Sequence, residues 1–221
     1  MNLQQPLTEE TFNQGLKELA DKDQDFAQIL KKWGNPAKWE EDAGFSGLVR
    51  TILGQQVSVS SASATMKRLC ETVVPLTPKK LLEFDDIELK ACGISRQKTT
   101  YIRELAIAIR RGDLDLEELA VADDTTIRNK LKPIKGIGDW TVDIYLLMSL
   151  QRPDAFPKGD LGVILAYQKL KKLETRPTPD ELEIIAEQWR PWRAIAARIL
   201  WHYYLNRQEE RGEKRKRGKR G

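Results

Sequence analysis

Apolar residues recur at helical spacing along almost the whole chain, and no segment sustains the two-residue alternation of a half-buried strand. An all-α fold is therefore expected. Prolines punctuate this pattern rather than interrupt it. Pro75, Pro78, Pro153, Pro157, Pro177, Pro179 and Pro191 fall at the joints between runs, where a helix tolerates the missing N–H. Helices are expected from a Thr8 cap through Leu19, from Asp25 to near Gly34, over 44–54 and 58–73, and at 77–84, 95–111, 116–120, 124–132, 139–150, 160–173, 178–189 and 192–206. Two of them are consecutive yet separated by Gly54-Gln55-Gln56-Val57, a break that calls for a function.

A chain of 221 residues, 40% of them hydrophobic, can bury a real core as one large domain or two small lobes. No stretch approaches the roughly 18 uninterrupted apolar residues of a membrane span. The first residues lack the charged-then-apolar pattern of an export signal, so a soluble, cytoplasmic, monomeric protein is expected. Cys70 and Cys92 form no Cys-x-x-Cys pattern, which argues against a disulfide framework or a zinc knuckle and for two buried or half-buried thiols. The single histidine, His202, leaves little room for metal or triad chemistry.

The formal charge of +4 is unevenly placed. Residues 207–221 carry eight Lys/Arg against three Asp/Glu, while the remaining 29 basic and 30 acidic residues nearly cancel. A helical domain over 1–206 followed by a disordered basic tail over 207–221 is the expected organisation. Such a tail either solubilises the chain or adds sequence-independent attraction to phosphates.

The most informative segment is 131–142, Leu-Lys-Pro-Ile-Lys-Gly-Ile-Gly-Asp-Trp-Thr-Val, set between a polar helix and an apolar one. Its Gly136-Ile137-Gly138 permits positive φ and removes side chains, so backbone N–H groups at the next helix start can reach an anion such as a DNA phosphate. An ordinary tight turn between helices uses the same residues. The flanks add weight to the first alternative: Ile134 and Ile137 can hold the turn together, and Lys132 and Lys135 bring positive charge.

This segment resembles the helix-hairpin-helix of the base-excision DNA glycosylase superfamily, in which a Gly-Ile-Gly hairpin is followed by a helix, a loop and an essential Asp. Here that path leads through Phe156-Pro157-Lys158-Gly159 to Asp160. Two further blocks are similar to the bacterial 3-methyladenine DNA glycosylase II branch: Ile52-Leu53-Gly54-Gln55-Gln56-Val57-Ser58, and Trp189-Arg190-Pro191-Trp192-Arg193 continuing to Trp201. The resemblance runs from about Phe45 to Tyr204 and implies two helical lobes with the active site in the cleft between them. A compact version is expected, without the additional N-terminal sheet domain of the similar bacterial enzyme.

What the resemblance implies for chemistry can be set beside the plainer alternatives. Asp160 would stabilise positive charge building on the sugar as the base departs, and would orient or activate water. Asp is also a routine N-cap, and Asp139, Asp143 and Asp154 lie nearby. Trp140, Trp201 and Ile144 would line the pocket for an extruded base, an indole attracting a cationic alkylated purine; tryptophans on helix faces are equally ordinary core. Gln56 would fill the vacated base stack, although the family residue there is apolar, with Gln55 as the other wedge candidate. Lys132, Lys135, Gly136, Ile137 and Gly138 would hold the DNA backbone. The carbonyls of Lys132, Ile134 and Gly136 are the implied site for a monovalent cation, which the reaction does not require.

Two absences sharpen the expectation. Bifunctional members carry a nucleophilic Lys two residues after the second hairpin glycine, and Trp140 stands there, so strand cutting is not expected. No cysteine follows Cys92, so the iron–sulfur cluster of members similar to endonuclease III has no ligands, and no cofactor is expected. The expected activity is therefore hydrolysis of the N-glycosidic bond of damaged purines, such as 3-methyladenine, in double-stranded DNA, leaving an abasic site. Hypoxanthine or mismatched bases as substrates, or a non-catalytic DNA-binding module, are the alternatives.

Overall fold

The structure, a computed structural model, describes residues 4–38 and 40–217, with side chains described to residue 210. Thirteen α-helices are present among them, with no strand, and no helix long and apolar enough to cross a membrane. The chain divides into two compact units, one comprising Met1–Trp39 with Gln151–Gly221 and the other Glu40–Leu150.

The unit formed by the two ends of the chain contains α1 (Glu9–Lys22), α2 (Gln24–Trp33), α11 (Leu161–Leu170), α12 (Pro179–Ala186), a 3-10 turn (Glu187–Trp189) and α13 (Arg193–Arg217). Thr8 caps α1 in a reciprocal box with Thr11, and Thr178 does the same for α12 with Glu181, each satisfying two otherwise orphaned N–H groups. The core gathers on Trp189, whose ring lies 5.3 Å from Phe26 and 5.9 Å from both Phe156 and Tyr167. Trp192 is equally buried, and its indole N–H donates to Glu18 at 2.7 Å, holding that carboxyl below its usual range. Helix α13 packs against α1, α2 and α11. At its contact with α1, Gly15 leaves room for Ile195 and Trp192, where a Cβ would come within 2.3 Å and 2.8 Å of them.

The middle unit contains α3 (Phe45–Gly54), α4 (Val59–Thr72), α5 (Pro78–Leu81), α6 (Asp86–Ala91), α7 (Arg96–Arg111), α8 (Leu116–Val121), α9 (Asp124–Leu131) and α10 (Asp139–Ile144). Helix α3 is its centre, with Phe45, Leu48, Val49, Ile52 and Leu53 all buried, and it packs against α4, α7 and α10. Past Ile144 the helix widens into a π register over Tyr145–Ser149, closed by Leu150 N–H donating to the Tyr145 carbonyl at 3.0 Å. The segment entering α3 uses this widening. Glu41 N–H donates to the Met148 carbonyl, and the Tyr145 hydroxyl donates to the Ala43 carbonyl at 2.7 Å.

Several boundaries differ from those expected. Helix α6 is new, although Asp85 and Glu88 form a capping box whose spacing marks it; six residues are too few for periodicity to register. Helix α5 shrinks to one turn, and α11 stops at Leu170 because Lys172 turns left-handed, at φ +54. Cys92 is buried as expected, whereas Cys70 lies exposed on α4. The largest difference is at the end of the chain. Helix α13 continues to Arg217, through much of the segment whose composition predicts disorder; residues 218–221 of that tail lie outside the described residues. Extension costs little once the packed part has nucleated the helix, and its Arg, Glu, Lys and Gln residues are good helix formers. Two contacts tie the early part of the extension down: Glu210 pairs with Lys32 at 2.7 Å, and Arg207 lies over the Tyr203 ring at 5.9 Å.

The close approach at Gly15 yields a stability test. Gly15→Ala should lower the free energy of unfolding by about 1–3 kcal/mol through overpacking, offset only in part by alanine's better helix propensity, about 1 kcal/mol. Denaturant unfolding measures it, and equal or higher stability would contradict the packing.

Candidate active site

In the middle unit, α9 and α10 flank the glycine turn and are stapled on either side of it. Arg128 of α9 pairs with the buried Asp143 of α10, and Lys132 pairs with Asp139 at 2.8 Å. Between them, Ile134 N–H donates to the Leu131 carbonyl and Ile137 N–H to the Ile134 carbonyl, both at 3.0 Å, with Ile137 buried. Gly136 adopts φ +92, and a Cβ there would stand 2.1 Å from the Tyr101 ring of α7. Both backbone freedom and space therefore demand glycine at this position. Gly138 differs: its φ of −103 suits any residue, and open space surrounds the place where a Cβ would stand. Its use is to leave the start of α10 uncovered, with no side chain capping the first N–H groups. Lys135 is exposed beside it.

The break between α3 and α4 belongs to the same unit. Gln55, one of the two wedge candidates, does not project from it. Its side-chain amide donates to the Gly136 carbonyl at 2.8 Å and to the Thr141 hydroxyl at 3.0 Å, so it braces the hairpin. Gln56 is exposed at φ +55, a conformation an L residue seldom adopts. Lys98 of α7 donates to the Leu53 carbonyl at 2.6 Å, and burial lowers its pKa. Trp140 and Ile144 are half-buried one turn apart on the same face of α10, the placement a pocket wall needs.

The brace also bears on the implied cation. The Gly136 carbonyl accepts from the Gln55 amide and the Ile134 carbonyl from the Ile137 N–H, so each has one of its two lone pairs engaged. No step below is assigned to a metal.

Asp160 lies in the other unit, at the N-cap of the ten-residue α11. The helix-cap and functional readings of this residue meet on one atom: Oδ1 accepts the Val163 N–H at 2.9 Å and the Trp201 indole N–H at 2.8 Å. Trp201 comes from α13, and Gly162 makes the approach possible, since a Cβ there would lie 3.0 Å from Asp160 Oδ1 and 3.3 Å from Trp201 Cδ1. Asp160 and Trp201 are each half-buried, and Leu161 beside them is 54% exposed. The neighbouring Lys158 points its charge elsewhere, held by Glu183 at 2.6 Å and Asp180 at 3.1 Å, contacts that raise its pKa.

The competing carboxylates are committed to structure. Asp139 and Asp143 form the hairpin staples described above, and the buried Asp154 receives Arg193 through both of its oxygens, at 2.9 Å each, together with Arg190. Three residues of the site, Tyr101, Gln55 as a brace and Gly162, escaped the sequence reading because each acts through a contact between elements.

Comparison with known proteins gives the family of the chain. The model of the HhH-GPD superfamily of base excision DNA repair proteins matches residues 49–191. The chain is 29% identical over 190 residues to DNA-3-methyladenine glycosylase 1 of Schizosaccharomyces pombe, covering 83% of each. With the DNA-3-methyladenine glycosylase of Bacillus subtilis it shares 29% identity over 169 residues, 71% of this chain and 56% of that one, so it spans little more than half of that relative. Among solved structures, the Schizosaccharomyces pombe 3-methyladenine DNA glycosylase Mag1 in complex with abasic DNA superposes with a TM-score of 0.77 at 28% identity, covering 85% of this chain and 95% of that one. The fold is that of a base-excision repair protein. The chain belongs to the HhH-GPD superfamily.

Gly136→Ala tests the hairpin geometry. Positive φ and the Tyr101 contact together should cost about 1–3 kcal/mol of stability, seen as faster hydrogen exchange at the Ile137 and Val142 amides. Unchanged exchange would contradict the geometry.

Proposed function

We propose that this chain is a monofunctional DNA glycosylase of base excision repair that removes alkylated purines such as 3-methyladenine, with Asp160 as its catalytic residue. The observation that carries this reading is the Asp160 carboxylate held by Trp201 and the first turn of α11, in a chain of the base-excision family whose relatives are 3-methyladenine glycosylases.

The chemistry follows from charge. As the N-glycosidic bond lengthens, the deoxyribose becomes cationic at C1′, and a fixed carboxylate beside it stabilises the transition state more than the neutral ground state. Fixing matters because a freely rotating carboxylate would have to reorganise during the reaction. The Val163 and Trp201 N–H groups supply that restraint. Asp160 also orients the water that completes hydrolysis. With Trp140 in place of a lysine, no amine in the hairpin helix attacks the sugar, and the strand is left uncut.

Substrate recognition is divided among the other residues. The uncovered start of α10 at Ile137 and Gly138 receives a phosphate, with Lys135 and, more weakly because of Asp139, Lys132 adding charge. Gln56 enters the stack that the extruded base leaves. Trp140 and Ile144 form the pocket wall, an indole face suited to the positive charge of an alkylated purine. Trp201, in the unit of Asp160, offers a second indole face for the extruded base while its N–H holds Asp160. The basic residues after Asn206 add salt-sensitive attraction to DNA. The protein then works in whichever compartment holds its DNA, the cytoplasm and nucleoid for a bacterial host.

Asp160→Asn keeps the cap but removes the charge. Single-turnover release of 3-methyladenine from methylated duplex should fall by about 100-fold or more, with affinity for undamaged duplex near wild type. Base release assayed by chromatography decides it, and retained turnover would remove Asp160 from the mechanism.

A further inference from the structure

The hairpin and the α3–α4 break touch through one side chain. Gln55 donates its amide to the Gly136 carbonyl at 2.8 Å and the Thr141 hydroxyl at 3.0 Å, acceptors before and after the start of α10. Both Nε2 hydrogens are thereby used. The next residue along the backbone is Gln56, exposed and at φ +55. Just before the break, Lys98 Nζ seals the end of α3 by donating to the Leu53 carbonyl at 2.6 Å. A left-handed L residue persists only where its surroundings over-determine it. Gln55 and Lys98 hold the chain before it, and the Ser58 cap of α4 holds the chain after it.

We infer that Gln55 is a positioning residue that couples the hairpin's grip on the phosphate backbone to insertion of Gln56 into the base stack. This rests on the reading of the chain as a base-excising enzyme. A wedge driven between stacked bases is pushed back by the stack, and a loop held only by its own backbone yields to that push. Gln55 passes the load to the turn that holds the phosphate, so wedge and grip act as one body. Residue type matters here. Glutamate would set a carboxylate against a carbonyl oxygen, and asparagine would fall one methylene short of both acceptors.

Gln55→Leu keeps the approximate volume and removes both donors. Its effect is read as single-turnover release of 7-methylguanine from two duplexes, one with the lesion paired to cytosine and one with it opposite an abasic site, where extrusion is cheap. Affinity for undamaged duplex and thermal unfolding are measured alongside. Losing two neutral hydrogen bonds should slow release from the paired duplex by about 10-fold, with a clearly smaller deficit on the unopposed lesion. In a Gln56→Ala background the same substitution should cost far less, because the wedge it positions is gone. A normal rate on the paired lesion, an equal deficit on both duplexes, or full additivity with Gln56→Ala overturns the coupling. Failure of the unsubstituted protein to release the base from either duplex overturns the enzymatic reading and the coupling with it, an outcome distinct from normal turnover by Gln55→Leu.

Discussion

One carboxylate oxygen bears two demands in this protein. Asp160 Oδ1 closes the first turn of α11 and receives the Trp201 indole N–H from α13. Either bond alone would leave the side chain a degree of freedom; together they hold it in place, as electrostatic catalysis requires. The rest of its unit serves that convergence. Helices α11 and α13 pack against each other, Gly162 clears the space between indole and carboxylate, and the Trp189 cluster with the Asp154–Arg193 pair anchors the chain on either side. Removing one partner of so buried a pair would cost about 3–5 kcal/mol, so the neighbouring carboxylates are better understood as scaffolding than as rivals.

The middle unit solves a different problem, the presentation of backbone rather than side chain. Its α10 begins bare because Gly138 covers nothing, and Gly136 can bend beneath it because Tyr101 fills the space a side chain would need. Such an opening is fragile unless braced. Arg128, Lys132 and Gln55 brace it from three directions, two through charge and one through a neutral amide. The π register after Ile144 locks the far end of the same helix to the segment entering α3.

Much of this was legible in the residue order. Helical periodicity and the placing of prolines led to an all-α fold, and capping residues such as Thr8, Ser58, Ser95 and Thr178 marked starts that the structure reproduces. The hairpin and the Asp160 cap stood out because their signals are local. What stayed hidden depends on contacts across long sequence separations. Gln55 reads as a second wedge until Gly136, 81 positions away, is seen to accept its amide. The bond from Lys98 to the Leu53 carbonyl likewise joins residues 45 positions apart. Composition misjudged the end of α13 for a related reason: a charged segment that could not fold alone continues a helix that the core has already nucleated.

Trp140, where a strand-cutting relative would carry lysine, joins these observations to the outcome of the reaction. In the proposed reaction, hydrolysis directed by Asp160 would free the base and leave the sugar–phosphate backbone whole. The decisive measurement is to incubate the protein with methylated duplex in the presence of borohydride, following free base by chromatography and the strand on a denaturing gel. Free alkylated purine with an intact strand and no trapped protein–DNA adduct is the expected result. A covalent adduct, or strand scission before alkali is added, would contradict hydrolysis by water at a carboxylate-stabilised sugar.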